Sequence, residues 1–301
     1  MRILWVLLGC CCLFSLPAKA LENAKQNAWC EQLGKRLKSV DAAFCRSLPF
    51  VAGEARSHEG RSLFMLERPP VREDPPDESG ENPPGARIFL IGGIHGDELT
   101  SVSIVFRWMR WLSDAEAKRH HWLIVPLANP DGLLARPSRR TNGKGVDLNR
   151  NFPTPDWSRD AIAYWQRRTG RDPRRYPGVS SMSEPETKWL TEAIQAFQPD
   201  VIVSVHAPYG ILDYDGPRQK PRRFGHLTLS QLGVYPGSLG NFGGIHRNIP
   251  VVTIELSHAT VMPAIAEQRQ IWADMLAWLA RHAKSKNPAD GDVLQTAIEK
   301  P

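Results

Sequence analysis

The stretch 88–99, IFLIGGIHGDEL, closes an apolar run with two glycines and then offers His95 and Glu98. The pattern reads as a buried strand, a tight turn and a helix start. A histidine at a strand end and a glutamate three residues on can converge on one point, and imidazole and carboxylate are ordinary zinc ligands. A second imidazole, His206, closes the apolar run DVIVSVH. Two imidazoles and a carboxylate form the ligand set of a catalytic zinc with a fourth position open to water. Each residue alone has a plainer reading, a hydrogen-bonded buried histidine or a capped helix start. Glu255 tips the balance, because it closes PVVTIEL in the same way and a carboxylate buried there needs a partner or a task. Taking a proton from water beside a metal and passing it to a leaving amine is such a task.

Complementary charge comes from residues 133–151, which are polar, arginine-rich and irregular. Within GVDLNRNF, Asn149 and Arg150 suit the gripping of a substrate carboxylate, the arginine through its planar fork. Arg139 or Arg140 can face a developing oxyanion, and Asp147 is short enough to orient a ligand histidine. Arg136 and the run 167–175 read as solvated basic surface. The segment 209–216, YGILDYDG, places Asp213 and Asp215 soon after His206, as a surface turn or as a recognition point for a substrate amine.

These side chains need a scaffold, and the chain supplies one. Strands are expected at 60–66, 88–92, 122–127, 200–206 and 250–256, and helices at 100–112, from a Ser183–Glu186 capping box to Phe197, and at 263–282. Residues 67–85 carry six prolines and almost nothing apolar, an exposed hairpin loop. The alternation is that of an α/β chain with helices on both faces of a sheet, whose ligand sites gather at the carboxyl ends of strands. His95, His206 and Glu255 all stand at such ends.

The first 20 residues read as an export signal. An apolar stretch follows Arg2, and Ala18-Lys19-Ala20 satisfies the signal peptidase rule, which puts the cut after Ala20. A lipobox-like Leu7-Leu8-Gly9-Cys10 is a lesser alternative. Cleavage removes Arg2 and Lys19, lowering the formal charge of +6 by two, and also removes Cys10, Cys11 and Cys12. Cys30 and Cys45 remain, an even pair suited to one disulfide in an oxidising compartment. Residues 21–59 form an accessory segment, 60–285 the catalytic domain and 286–301 a polar tail. No further apolar run of about 18 residues occurs, so no stable membrane anchor is expected after cleavage. The modest charge and the lack of a recognised motif argue against nucleic acid as partner. Neither G-x-S-x-G nor a phosphate loop is present.

The motifs IHGDE, NPDG, RxTNxxGVDLNRNF, SVHAP and VVTIEL, in this order, resemble the zinc carboxypeptidase family, and most closely its bacterial murein peptide amidase branch. The resemblance implies a three-layer α/β/α fold with a mixed, mainly parallel central sheet and one zinc per chain. It implies His95, Glu98 and His206 as zinc ligands, Glu255 as general base and Arg140 as carbonyl polariser. Asn149 and Arg150 become the clamp on a terminal carboxylate, and Asp147 the aspartate behind the first histidine. The family's mobile tyrosine matches best at Tyr235, in a shortened loop, and its side-chain preference position at Leu239, which argues against selectivity for basic termini. The expected function is hydrolysis outside the cytoplasm, periplasmic or secreted, of the γ-D-glutamyl–diaminopimelate amide of murein peptides. The alternatives are a conventional carboxypeptidase, an N-acyl amino acid deacylase, and a wall-binding protein without catalysis.

Overall fold

Four apolar strands form the middle of the sheet, and three of them lead into the reactive residues. The computed structural model describes residues 18–71, 85–217 and 219–282. Its strands are β1 (Val51–Arg56), β2 (Ser62–Arg68), β3 (Arg87–Ile91), β4 (His121–Val125), β5 (Val201–His206), β6 (Ile211–Asp215), β7 (Arg223–Phe224), β8 (Leu227–Leu229) and β9 (Val251–Glu255). They form one sheet in the order β1-β2-β4-β3-β5-β9-β6-β8-β7. The central run β4-β3-β5-β9 is parallel, and antiparallel strands flank it on both sides.

The helices are α1 (Ala18–Arg36), α2 (Ala42–Ser47), α3 (Leu99–Met109), α4 (Ala115–Lys118), α5 (Pro130–Leu134), α6 (Trp157–Arg168), α7 (Pro185–Phe197) and α8 (Ile265–His282). Alternation along the strands divides the core in two. Ile88, Leu90, Val203, Val205, Val252 and Ile254 face one layer, with α1, α3 and α8. Phe89, Ile91, Ile202 and Val251 face the other, with α7. Burial on both faces is why these strands read as nearly unbroken apolar runs.

Several expectations change. Strands β2 and β3 flank the proline-rich stretch, yet β4 lies between them, so their connection is not a hairpin. Residues 72–84 of it lie outside the described residues, as do the expected leader through residue 17 and the tail. Helix α1 begins at Ala18, so a cut after Ala20 would trim its first three residues. The boundary expected at residue 59 does not divide the structure. Strand β1 pairs with β2, and Trp29 of α1 packs on Phe64 and Phe106 in the main core.

The Ser183–Glu186 capping box is absent. Helix α7 starts at Pro185 behind Glu184, and Glu186 instead accepts the His58 N–H, 2.9 Å away. The Cys30–Cys45 disulfide forms as expected, tying α1 to α2. Among the described residues no helix is long and apolar enough to cross a membrane.

Candidate active site

His95 follows β3 across Gly92 and Gly93, and Glu98 stands at the N-cap position of α3 with its side chain turned to the histidines and not to the helix N–H groups. Gly93 has a positive φ of 61°, and a Cβ there would stand 2.7 Å from Val102, so only glycine turns the chain so tightly. Parallel pairing of β5 with β9 sets His206 directly opposite Glu255. Ligand atoms of His95, Glu98 and His206 all lie within 4.8 Å of one another, although 111 residues separate the histidines.

The hydrogen bonds fix which atoms face inward. His95 Nε2 lies 3.1 Å from Asp147 Oδ1, an acceptor only, so that nitrogen carries the proton. Nδ1 of His95 then points at Glu98 Oε1, 2.8 Å away, and at His206 Nδ1, 3.1 Å away. His206 Nδ1 is also 3.0 Å from Glu98 Oε2, while its Nε2 turns outward to Ser204 Oγ at 3.0 Å. Three electron-rich groups thus converge in a buried place, an arrangement that a divalent cation satisfies. The donor set of two imidazoles and a carboxylate, each backed from behind, fits zinc.

Asp147 is wholly buried and binds His95 and the Arg140 Nε, the latter at 3.0 Å. Burial opposes its charge, but Arg140 and His95 hold its carboxyl well below the usual range. Glu98 behaves alike: burial is outweighed by His95 and His206, and its carboxyl is depressed. Arg140 Nη1 reaches Glu98 Oε1 at 3.4 Å. Arg139, the other candidate, turns away to Glu59 at 2.8 Å.

Glu255 is 6% exposed, and its Oε2 is buried without a hydrogen-bond partner. Burial pushes its carboxyl up, with Glu98 adding and His206 and His95 opposing. Asn149 accepts the Leu239 N–H through Oδ1 at 2.8 Å, which leaves its NH2 group as a donor for the cleft. Arg150 is 7% exposed; its Nη1 donates to the Asn149 carbonyl, its Nε is unpartnered, and its guanidinium lies 4.4 Å over the Tyr235 ring. The Tyr235 hydroxyl donates to the Leu232 carbonyl at 2.9 Å, so in this structure it points back into its own loop.

Two sequence readings need correction. Leu239 is 2% exposed and packs in the core behind the cleft, so its side chain is not where a substrate side chain would rest. Residues 211–215 are not a surface turn but β6, antiparallel to β9, and Asp213 and Asp215 line the cleft. Ser204 went unread, and Arg175, read as solvated surface, lines the cleft. Ser204 was findable, since i and i+2 of a strand share a face, whereas Arg175 sits in a basic run that looks like ordinary surface.

The zinc carboxypeptidase family profile matches residues 50–221. Murein peptide amidase A of Escherichia coli (strain K12) is 31% identical over 235 residues, covering 75% of this chain and 91% of that protein. Murein peptide amidase A of Vibrio campbellii is 31% identical over 178 residues, covering 57% and 69%. In fold, the chain is similar to bovine thrombin-activatable fibrinolysis inhibitor, solved in complex with tick carboxypeptidase inhibitor. That likeness has a TM-score of 0.55 at 18% identity over 86% of this chain and 95% of that one.

Proposed function

The chain belongs to the zinc carboxypeptidase family, and from that premise we propose that it works outside the cytoplasm on murein peptides, cutting the γ-D-glutamyl–diaminopimelate amide. That it is a hydrolase of the peptidase and amidase kind follows from the family. The bond and the compartment are our reading, supported by the murein amidase relatives, the leader-like first 20 residues and the Cys30–Cys45 disulfide.

The observation that carries it is the buried meeting of His95, Glu98 and His206, with the unpartnered oxygen of Glu255 beside them. His95, Glu98 and His206 would hold a zinc ion, which would supply Lewis acidity toward an amide carbonyl and lower the pKa of water. The chain's own groups do the rest. Glu255, desolvated and opposite His206, accepts a proton from the attacking water and returns it to the departing amine. Arg140, already held by Asp147 and Glu98, offers positive charge to the amide oxygen as negative charge grows there. Arg150 and Asn149 fix the free carboxylate of the residue to be released, which sets the scissile bond within reach of Glu255.

The test is digestion of the murein tripeptide L-alanyl-γ-D-glutamyl-diaminopimelate with purified protein and zinc. Release of diaminopimelate is expected. Inertness toward it, with turnover of ordinary α-linked C-terminal residues, would make the chain a conventional carboxypeptidase.

A further inference from the structure

We propose that Ser257, His226 and Glu267 form a second reactive centre, in which the serine hydroxyl is the nucleophile of a metal-independent cleavage of short acyl esters. The centre lies outside the cleft described above and uses none of its residues.

Three elements far apart in sequence bring these side chains together. Ser257 follows β9, two residues past Glu255, His226 stands in the turn of the β7–β8 hairpin, and Glu267 lies in the first turn of α8. Phe224 pairs with Leu227, so the hairpin turns on Gly225 and His226 alone. Gly225 has a φ of 57°, and a Cβ there would stand 2.1 Å from Glu267 Oε1, so only glycine lets the turn settle on α8. Backbone N–H groups fasten it there: that of Gly225 donates to Asp274 Oδ2 and that of His226 to Glu267 Oε1, each at 2.8 Å. Docking of the hairpin is thus met by its backbone, and the imidazole is left for other work.

The two ring nitrogens have distinct roles. Glu267 is an acceptor only, so Nδ1 of His226, 2.5 Å from its Oε1, carries the proton. Nε2 of the neutral ring is then bare, and Ser257 Oγ, 2.9 Å away, donates to it. A nucleophile bound to a base, and the base to a carboxylate, is the arrangement of a serine hydrolase, which is defined by geometry and not by a motif. Burial opposes the charge of Glu267, but the backbone and ring N–H groups of His226 outweigh it and hold the carboxyl below its ordinary range. Glu267 therefore positions His226 as a charged group.

The surroundings suit a small electrophile from solution. The His226 side chain is 46% exposed, and Ser257 is half-buried. A Cβ at Gly210 would lie 3.1 Å from Ser257 Oγ, so the bare backbone leaves beside the hydroxyl a gap of about one methyl group, which fits an acetyl. The N–H groups of His258 and Ala259 donate to nothing among the described residues. Donors just after the nucleophile are where an oxyanion is commonly held. An ester is favoured over an amide because an alcohol leaves more readily than an amine, and a ring this open to water lacks the shielding that amide cleavage draws on.

The reaction balances with water as the only co-reactant. Ser257 Oγ bonds to the acyl carbon as its proton passes to His226 Nε2. The bond to the alcohol oxygen breaks, and the alcohol leaves with that proton. Water then gives a proton to Nε2 and adds to the acyl carbon, the bond to Oγ breaks, and Oγ recovers the proton as the carboxylic acid departs.

The test uses p-nitrophenyl acetate on the Glu255→Gln protein, whose zinc site lacks its base, so neither outcome depends on whether murein peptide is cut. Release of p-nitrophenolate is expected to fall about a hundredfold when Ser257→Ala is added. In acid-quenched samples that retain the serine, mass spectrometry should find acetyl on Ser257. Release unchanged by Ser257→Ala, or no acetyl on Ser257, overturns the proposal. If Ser257→Ala fails to fold, wild type treated with diisopropyl fluorophosphate decides. Phosphorylation of Ser257, equal with and without a chelator, is expected, and an unmodified Ser257 rejects the centre.

Discussion

Nδ1 of His95 and Oε1 of Glu98 lie 2.8 Å apart although, with Nε2–H given to Asp147, a neutral His95 brings no proton to that contact. Without metal, a proton must enter. Burial and Arg140 oppose it, but Glu98 and Asp147 outweigh them and raise His95 above its ordinary range. A bound metal would displace that proton. Zinc binding should therefore release protons and stabilise the fold, by about 4 kcal/mol at a thousandfold excess over Kd. Melting with zinc and with a chelator checks this: a rise of several degrees is expected, absent in His206→Ala. Equal melting temperatures in all states would refute the metal site.

Glu255→Gln separates chemistry from folding. The variant keeps the three ligands and the shape of the side chain but cannot accept a proton, so kcat should fall about a hundredfold or more with zinc content unchanged. Stability moves the other way. A carboxyl raised by burial destabilises the fold once pH exceeds its unfolded value, so at neutral pH the variant should melt no lower than wild type. Retained turnover would exclude Glu255 as the base.

These two residues show what a sequence can and cannot display. His206 and Glu255 were readable because each ends a strand whose apolar run is conspicuous, and His95 and Glu98 because the apolar run of β3 passes through two glycines into a helix start; a sheet gathers such ends at one edge. Asp147 and Arg150 were readable as short-range polar chemistry in GVDLNRNF. Strand β6 was not. ILDYD alternates as a strand should, but two of its five residues are charged, and only pairing with β9 turns those charges inward. Leu239 misled for the converse reason: a linear position cannot show whether a leucine faces a cleft or lies in the core behind it. Strand β1 was missed because an edge strand with half-exposed residues has no apolar signature.

The disulfide should matter for stability and little for turnover. Cys30 and Cys45 are 15 residues apart and far from the ligands in sequence, joining α1 to α2 against the main core. Closing a loop of that length restricts the unfolded chain by about 3 kcal/mol. Replacing both cysteines by serine should lower the melting temperature by several degrees, with kcat/KM at 25 °C within about twofold of wild type in a protein that remains folded. A drop in kcat/KM without a change in melting would show that the N-terminal helices shape the cleft.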